Sequence, residues 1–446
     1  MIDAKVLDKV LRKKPVAVFG LARSGLATIR ALRQAGVEVL AWDDQSAARE
    51  KAQKLGARVE ILTEKNLRSC DILVLAPGVP LYYPEPHPVV QAARRTQTEI
   101  ICDIELLFRL MPRRRTIGIT GTNGKSTTTA LVNHILKQAG HDAVMGGNIG
   151  LPVFDLPLPS PDGVYVFELS SYQLDLCPSF RPDISVLLNI TPDHLDRHGT
   201  MEKYAAAKER IFEGPGAAVI GVDDEYTRAI HKRALQNGAR AITAISIKER
   251  DLFETLQAPA LRGDHNYQNA LAAYAVCRAM QVEHTLIIRG IQSFPGLPHR
   301  QFQVSSIHDV LYINDSKATN AESAAKALMS YDSIYWIVGG RAKEGGLSGL
   351  EIFKDRIRKA YLIGESAPAF STWMNQNGID YDMCGTLEQA THAAHTQAQG
   401  DRKAGRTPGV VLLAPACASF DQFTSYEERG DLFARIVLSL NEASSL

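Results

Sequence analysis

Short apolar, β-branched runs that each stop at Gly, Asp, Asn, Glu or Ala-Pro recur along almost the whole chain, with helical patterns between them. This alternation permits few architectures. Strands buried on both faces and joined through helices form parallel sheets covered by helices, an α/β fold. PVAVFG (15–20) is the first such strand, Ser24 to Ala35 the helix after it, closed by Gly36, and VEVLAWDD (37–44) the next strand. DILVLAPG (71–78) is a third, ending in a Pro-Gly turn. A second block opens with RTIGIT (115–120) and a helix to Ala139 that Gly140 stops, and continues with strands VYVFELS (164–170) and ISVLLNI (184–190). Near residue 297 a third block brings VLYIND (310–315), SIYWIVGG (333–340), AYLIGE (360–365) and VVLLAP (410–415). At 446 residues the chain is too long for one core, so several domains are expected. LPLPSP (156–161) is expected to be a surface loop.

A formal net charge of +1 gives no electrostatic case for nucleic acid or an acidic membrane, which leaves small molecules as the expected ligands. No apolar run approaches the roughly 18 residues of a membrane span, and the charged start MIDAKVLDKVLRKKP has no signal-peptide core. Cys70, Cys102, Cys177, Cys277, Cys384 and Cys417 show no metal-type or redox-type spacing. They are expected as small, half-buried hydrophobes in a reducing compartment, the cytoplasm.

Ligands of open α/β sheets gather beyond the carboxyl ends of strands, where the chemistry-bearing motifs lie. GITGTNGKSTTT (118–129) resembles a phosphate loop but carries Ile119 where the usual pattern has Gly. Gly121, Thr122, Asn123, Gly124, Lys125, Ser126 and Thr127 nevertheless sit together at a strand-to-helix junction. Helix-terminal amides there attract phosphate, Lys125 neutralises β- and γ-oxygens, and Ser126 or Thr127 reaches magnesium, so a nucleoside triphosphate is expected. Glu168 ends a buried strand where a magnesium ligand is needed, whereas His194 in NITPDHLDRH, taken alone, reads more readily as a solvated or hydrogen-bonded loop histidine than as a second ligand. Lys208 in KYAAAKERIF reads, by itself, as one more charge on a helix surface. GLARSG (20–25) has Ala22 where a dinucleotide loop has its middle glycine; a nucleotide and a plain βα turn both remain open. In DHNYQNALAA, Asp264 is expected to cap a helix, with Asn266 and Asn269 on one face to read a purine edge or hold a phosphate. INDSKATNAES places Lys317, Thr319 and Asn320 at a helix start, and LAPACASFDQF places Ser419 before the last long helix.

Together GTNGKSTTT, GGNIGLP (146–152), FELSSYQL (167–174), NITPDHLDRH, the lysine after YAAA, HNYQNALAA, GLPHR, INDSKATN and APACAS resemble, in order and spacing, the Mur ligase family. The resemblance covers nearly the whole chain. ELSSYQL, INDSKATN and CASFDQF point to its D-glutamate-adding branch. It implies a Rossmann-like uridine-diphosphate domain (1–103), a central ATPase domain (104–296) and a Rossmann-like amino-acid domain (297–446). The implied reaction joins D-glutamate to UDP-N-acetylmuramoyl-L-alanine with ATP, through an acyl phosphate, in a monomeric enzyme.

The resemblance also assigns residues. Lys125, His194, Lys208 and Lys317 would be catalytic, and Ser126, Glu168, His194 and Lys208 would hold Mg2+, Lys208 as a carbamate. Asn266, Asn269, Arg300 and Asp315 join the loop residues around ATP. Arg23, Ser24, Asp43, Gly78, Asn148, Ser170, Gln173 and His194 fall to the UDP-substrate, and Thr319, Lys343, Ser419, Phe420 and Tyr426 to D-glutamate. The competing expectations are a relative adding another amino acid, a non-catalytic UDP-sugar or ATP sensor, and a nicotinamide-dependent oxidoreductase fused to an ATPase.

Overall fold

The computed structural model describes residues 10–236, 238, 240–248, 258, 260–261 and 263–444. Three sheets organise them. In the first, β1 (Val16–Phe19), β2 (Val39–Trp42), β3 (Arg58–Val59), β4 (Ile72–Leu75) and β5 (Glu99–Ile101) run in the order β3-β2-β1-β4-β5. All are paired parallel. In the second, β6 (Arg115–Thr120), β7 (Ala143–Gly147), β8 (Val164–Glu168), β9 (Ile184–Leu187), β10 (Ala217–Gly221) and β11 (Ile242–Ile245) run β11-β10-β9-β6-β8-β7, again parallel.

The third holds β12 (Phe302–Ile307), β13 (Val310–Asn314), β14 (Ile334–Gly339), β15 (Ile357–Ile363), β16 (Tyr381–Gly385) and β17 (Val410–Leu413), in the order β12-β13-β17-β14-β15-β16. Only β12 is antiparallel there, paired with β13 at the edge. The first two sheets lie in one compact unit and the third in another, the main division falling between Gln292 and Ser293.

Alternation along the strands builds a core on each face. Val16 and Val18 join one cluster while Ala17 and Phe19 join another. Ile334, Trp336 and Val338 likewise face away from Tyr335 and Ile337. The cluster holding Phe19 also takes in Tyr165 and Phe167 of β8, so the first two sheets share apolar packing. The helix Asp103–Leu110 contributes Ile104 and Leu107 to that shared cluster and Leu106 and Leu110 to its neighbour.

Every strand expected from a long apolar run is present. The helix expected over Ser24 to Ala35 spans Arg23–Gln34. The Pro-rich loop is irregular and largely exposed, apart from buried Pro159. The six cysteines are free, as expected, but five are buried outright rather than half-buried, and Cys102 and Cys177 sit with sulfurs 3.3 Å apart. Seventy-five residues separate that pair in sequence, so no spacing rule could reveal it.

Candidate active site

Strand order decides which motifs become neighbours. β9, β6, β8 and β7 are adjacent and parallel, so their carboxyl ends bring together the segments at Asn189, Gly121, Glu168 and Asn148. Gly121 (φ +153°) turns the chain off β6, and Gly124 (φ +84°) caps the helix Lys125–Gln138. A Cβ on Gly124 would lie 2.1 Å from Asn269 Oδ1, so glycine lets the loop nest against the helix Asp264–Ala279. Asn269 Nδ2 donates to Asn266 Oδ1 at 3.1 Å, and Thr128 Oγ1 donates to Asn269 Oδ1 at 3.2 Å. The two asparagines therefore share one face, as expected, and that face supports the loop. The side chain of Asp264 lies outside the described residues.

The amides of Thr122 and Asn123 donate to Asn189 O (2.9 Å) and Asn189 Oδ1 (2.8 Å), and Asn189 is held in turn by Gln268. The start of the helix, where Lys125, buried Ser126 and buried Thr127 lie, is the part of the loop whose terminal amides could meet an anion. Lys125 Nζ donates to Gly121 O (2.9 Å) and Thr122 O (2.8 Å).

Lys208 is not a surface charge. It is 1% exposed on the helix Met201–Glu209, one turn from buried Tyr204, and its Nζ donates to the same Gly121 O at 2.8 Å. Burial, reinforced by the neighbouring Lys125 ammonium, holds its pKa well below the usual lysine range. Glu168 is 2% exposed; its Oε1 accepts from Asn148 Nδ2 at 2.8 Å, while its buried Oε2 has no partner among the described residues. An unmatched buried carboxylate oxygen costs about 1–3 kcal/mol unless a cation or donor meets it. His194 stands exposed at φ +52°, its Nε2 3.4 Å from Asp193 and its ring 5.0 Å from that of Tyr172. Among the described residues no three His, Cys, Asp or Glu side chains converge on one point, so a metal here needs oxygens from a ligand or a modified lysine.

The first sheet faces this site within the same unit. Arg197, beside His194, donates to Gly78 O (2.7 Å) and Val79 O (3.0 Å) of the turn after β4, and its guanidinium covers Tyr172 at 4.8 Å. Arg23 reaches Gly150 O at 3.3 Å. Ser24 lies in the first turn of the helix Arg23–Gln34, where its carbonyl accepts from Thr28 Oγ1. Asp43 accepts from the amides of Leu21 (2.6 Å) and Gln45 (2.8 Å), which ties the end of β2 to the loop after β1. Ser170 and Gln173 form a reciprocal capping box on the short helix after β8.

In the second unit β13, β17 and β14 are adjacent, so Asp315, Lys317 and Thr319, then Ser419, then Lys343 follow neighbouring strand ends. Asp315 is buried and its pKa is pushed up to about 7, opposed by the Gln301 amide (3.1 Å) and by Arg300 and Lys317. The buried Nε of Arg300 has no partner among the described residues. Lys317 Nζ lies 5.6 Å from the Tyr426 ring, and Asn320 caps the next helix through Ser323 N at 2.8 Å. Lys343 and Phe420 are exposed. Ser419 precedes the last helix, as expected, in a turn where its carbonyl accepts from Phe423 N, and the helix itself begins at Tyr426.

Two residues escaped the sequence reading. Arg429 is 1% exposed and binds Ser316 Oγ (2.9 Å), Ser316 O (2.8 Å) and Cys417 O (3.1 Å), so one guanidinium joins the loops after β13 and β17. His198 is buried against Ser171 Oγ at 2.9 Å, and burial beside Lys208 lowers its pKa to about 4. Arg429 carries no sequence signal beyond a charge within a helix, and His198 lies within NITPDHLDRH without a role read for it there.

The chain is similar to known proteins along nearly its whole length. The Mur ligase middle domain matches residues 119–277, and the Mur ligase MurD-like N-terminal domain matches residues 14–102. The chain is 49% identical to a protein of Chelativorans sp. (strain BNC1) over 96% of each chain. It is 43% identical to one of Paramagnetospirillum magneticum over 98% of this chain and 99% of the other. Both bear the name UDP-N-acetylmuramoylalanine--D-glutamate ligase. Among solved structures, crystal structure II of MurF from Acinetobacter baumannii matches in fold, with a TM-score of 0.59 and 18% identity over 97% of this chain and 99% of that one.

Proposed function

Because the chain belongs to the Mur ligase family, we propose that it joins D-glutamate to UDP-N-acetylmuramoyl-L-alanine, an ATP-driven amide ligation that builds a peptidoglycan precursor. The observation that carries this reading is that Lys125 and Lys208 share the Gly121 carbonyl at the end of β6, next to the strand that ends in Glu168 with its unmatched oxygen, in a chain similar over nearly its full length to relatives of that name.

A carboxylate resists attack by an amine until one of its oxygens becomes a leaving group. The L-alanine carboxylate therefore takes the γ-phosphoryl of ATP, giving ADP and an acyl phosphate. The D-glutamate amine then attacks the carbonyl carbon, and phosphate departs with one former carboxylate oxygen. Lys125 exchanges its carbonyl partners for β- and γ-oxygens, and the amides at the start of its helix take the charge that remains. Asn266 and Asn269 hold the loop in place around ATP. The family resemblance assigns Arg300 and Asp315 to ATP and Lys317 to catalysis.

The buried Lys208 amine, its pKa lowered by burial and by Lys125, is suited to add carbon dioxide and release a proton, leaving an anionic carbamate. Ser126, Glu168, His194 and that carbamate would hold Mg2+, which offsets the repulsion between the substrate carboxylate and the γ-phosphate. The acceptor strand ends of the first two sheets, with Arg23, Ser24, Asp43, Gly78, Asn148, Ser170 and Gln173, are assigned to the UDP-substrate. Thr319, Lys343, Ser419, Phe420 and Tyr426 are assigned to D-glutamate. We assign domain limits of 1–103, 104–296 and 297–446, and place the enzyme in the cytoplasm as a monomer; the free cysteines suit a reducing compartment. Among the described residues no helix is long and apolar enough to cross a membrane.

The test is phosphate release from ATP with UDP-N-acetylmuramoyl-L-alanine and a panel of amino acids. Release is expected with D-glutamate and not with L-glutamate. Equal release with L-alanine or meso-diaminopimelate would overturn the specificity.

A further inference from the structure

We propose that a cavity at the amino-terminal ends of β6, β8 and β9 binds a small aromatic anion, a molecule with a planar apolar body and one carboxylate, sulfonate or phosphate group. The cavity measures about 500 Å³ and is lined by the linker from the helix Asp103–Leu110 and by the strand starts at Thr116, Tyr165 and Asp183. That volume falls within the roughly 300–1,000 Å³ of small-molecule sites. None of its lining residues belongs to the ligase reading above. Thr116 and Gly121 stand at opposite ends of β6, about 17 Å apart by strand rise, so a molecule here leaves the phosphate loop untouched.

The lining chemistry defines the ligand. Tyr165 and Phe167 are stacked with ring centroids 5.1 Å apart, and Phe108, 37% exposed, leaves an aromatic ring in water at the mouth. Such rings favour a flat apolar partner. Around them stand Arg113, Arg114 and Arg181, against Asp183 as the one lining carboxylate. Asp183 Oδ2 already accepts from Thr116 N at 2.8 Å, and its Oδ1 lies 3.5 Å from Arg113, whose side chain is 91% exposed. Arg114 donates to the carbonyls of Pro159 and Arg113, both at 3.0 Å, which order the guanidinium without neutralising it. Arg181 is paired with Glu213 at 2.8 Å. A chain of net charge +1 thus concentrates positive charge at the edge of an aromatic cavity, and a guanidinium fork suits a carboxylate, sulfonate or phosphate.

The test is fluorescence titration of the full chain with 1-anilinonaphthalene-8-sulfonate, which combines fused rings with one sulfonate. One saturable site per chain is expected, unaffected by saturating ATP. Arg113→Glu combined with Arg114→Glu should weaken binding at least ~10-fold, as should replacing the probe by neutral N-phenyl-1-naphthylamine. Phe108→Ala should weaken it, and Arg68→Glu, at an exposed arginine outside the cavity, should not. Circular dichroism melting confirms that each variant is folded, and Arg113→Glu alone alters only an exposed side chain. Absence of saturable binding, displacement by ATP, or equal affinity of the double variant or the neutral probe would overturn the assignment.

Discussion

At the scale of single residues, the burial of charged groups separates reactive positions from ordinary ones. Lys208 sits one turn from Tyr204 on a face turned away from solvent, and its Nζ shares the Gly121 carbonyl with Lys125. Two like charges in such a low-dielectric site would cost several kcal/mol, whereas the carbamate proposed at Lys208 would set opposite charges side by side. Lys208→Ala is expected to lower kcat at least ~100-fold without loss of the fold, and a short carboxylate such as acetate in the buffer should restore part of the rate. Unchanged turnover would remove the carbamate from the mechanism. Asp103 supplies a different kind of test, because burial pushes its pKa up to about 6. Between its unfolded value near 4 and that value the folded state binds more protons than the unfolded state, so stability falls as pH rises through this window. Asp103→Asn keeps an oxygen for the Ile104 amide and removes the titration. Denaturant melts should show the variant about 1–3 kcal/mol more stable than wild type at pH 8, with the gain vanishing near pH 4. A gain independent of pH would contradict this account.

At the scale of elements, the loop from Gly121 to Gly124 works because three neighbours hold it: Asn189 after β9, Gln268 and Asn269 on the helix behind. Gly124→Ala is expected to weaken ATP binding at least ~10-fold in calorimetric titration, since a Cβ meets Asn269 at 2.1 Å and φ is +84°. Wild-type affinity would show that the loop has slack the packing denies. The loop's chemistry was legible in GTNGKS, whereas its support was not. Asn189 and Gln268 lie 79 residues apart and carry no shared pattern. The same limit explains the strands. Long buried runs such as IYWIVG announce themselves, but Arg58–Val59 is two residues long and AVMGG and YDMCG mix glycine with half-exposed positions. Edge and short strands take their shape from a neighbour's hydrogen bonds, which leave no mark in hydropathy.

At the scale of the whole molecule, strand order converts a linear string of motifs into neighbouring ends. β9, β6, β8 and β7 gather Asn189, Lys125, Glu168 and Asn148; β13, β17 and β14 gather Asp315, Ser419 and Lys343. The motifs and their order were readable from the chain, and the family resemblance supplied their roles. Arg197 on the Gly78 turn and Arg429 across two loops were readable from neither, because each depends on segments that meet only in the fold. The central claim is that the phosphate loop passes its γ-phosphoryl to a substrate carboxylate. Isotope transfer tests it most directly. With UDP-N-acetylmuramoyl-L-alanine carrying 18O in both carboxylate oxygens, mass spectrometry of the phosphate released during ligation should find one 18O atom per molecule. Unlabelled phosphate formed alongside the amide product would contradict the acyl-phosphate route.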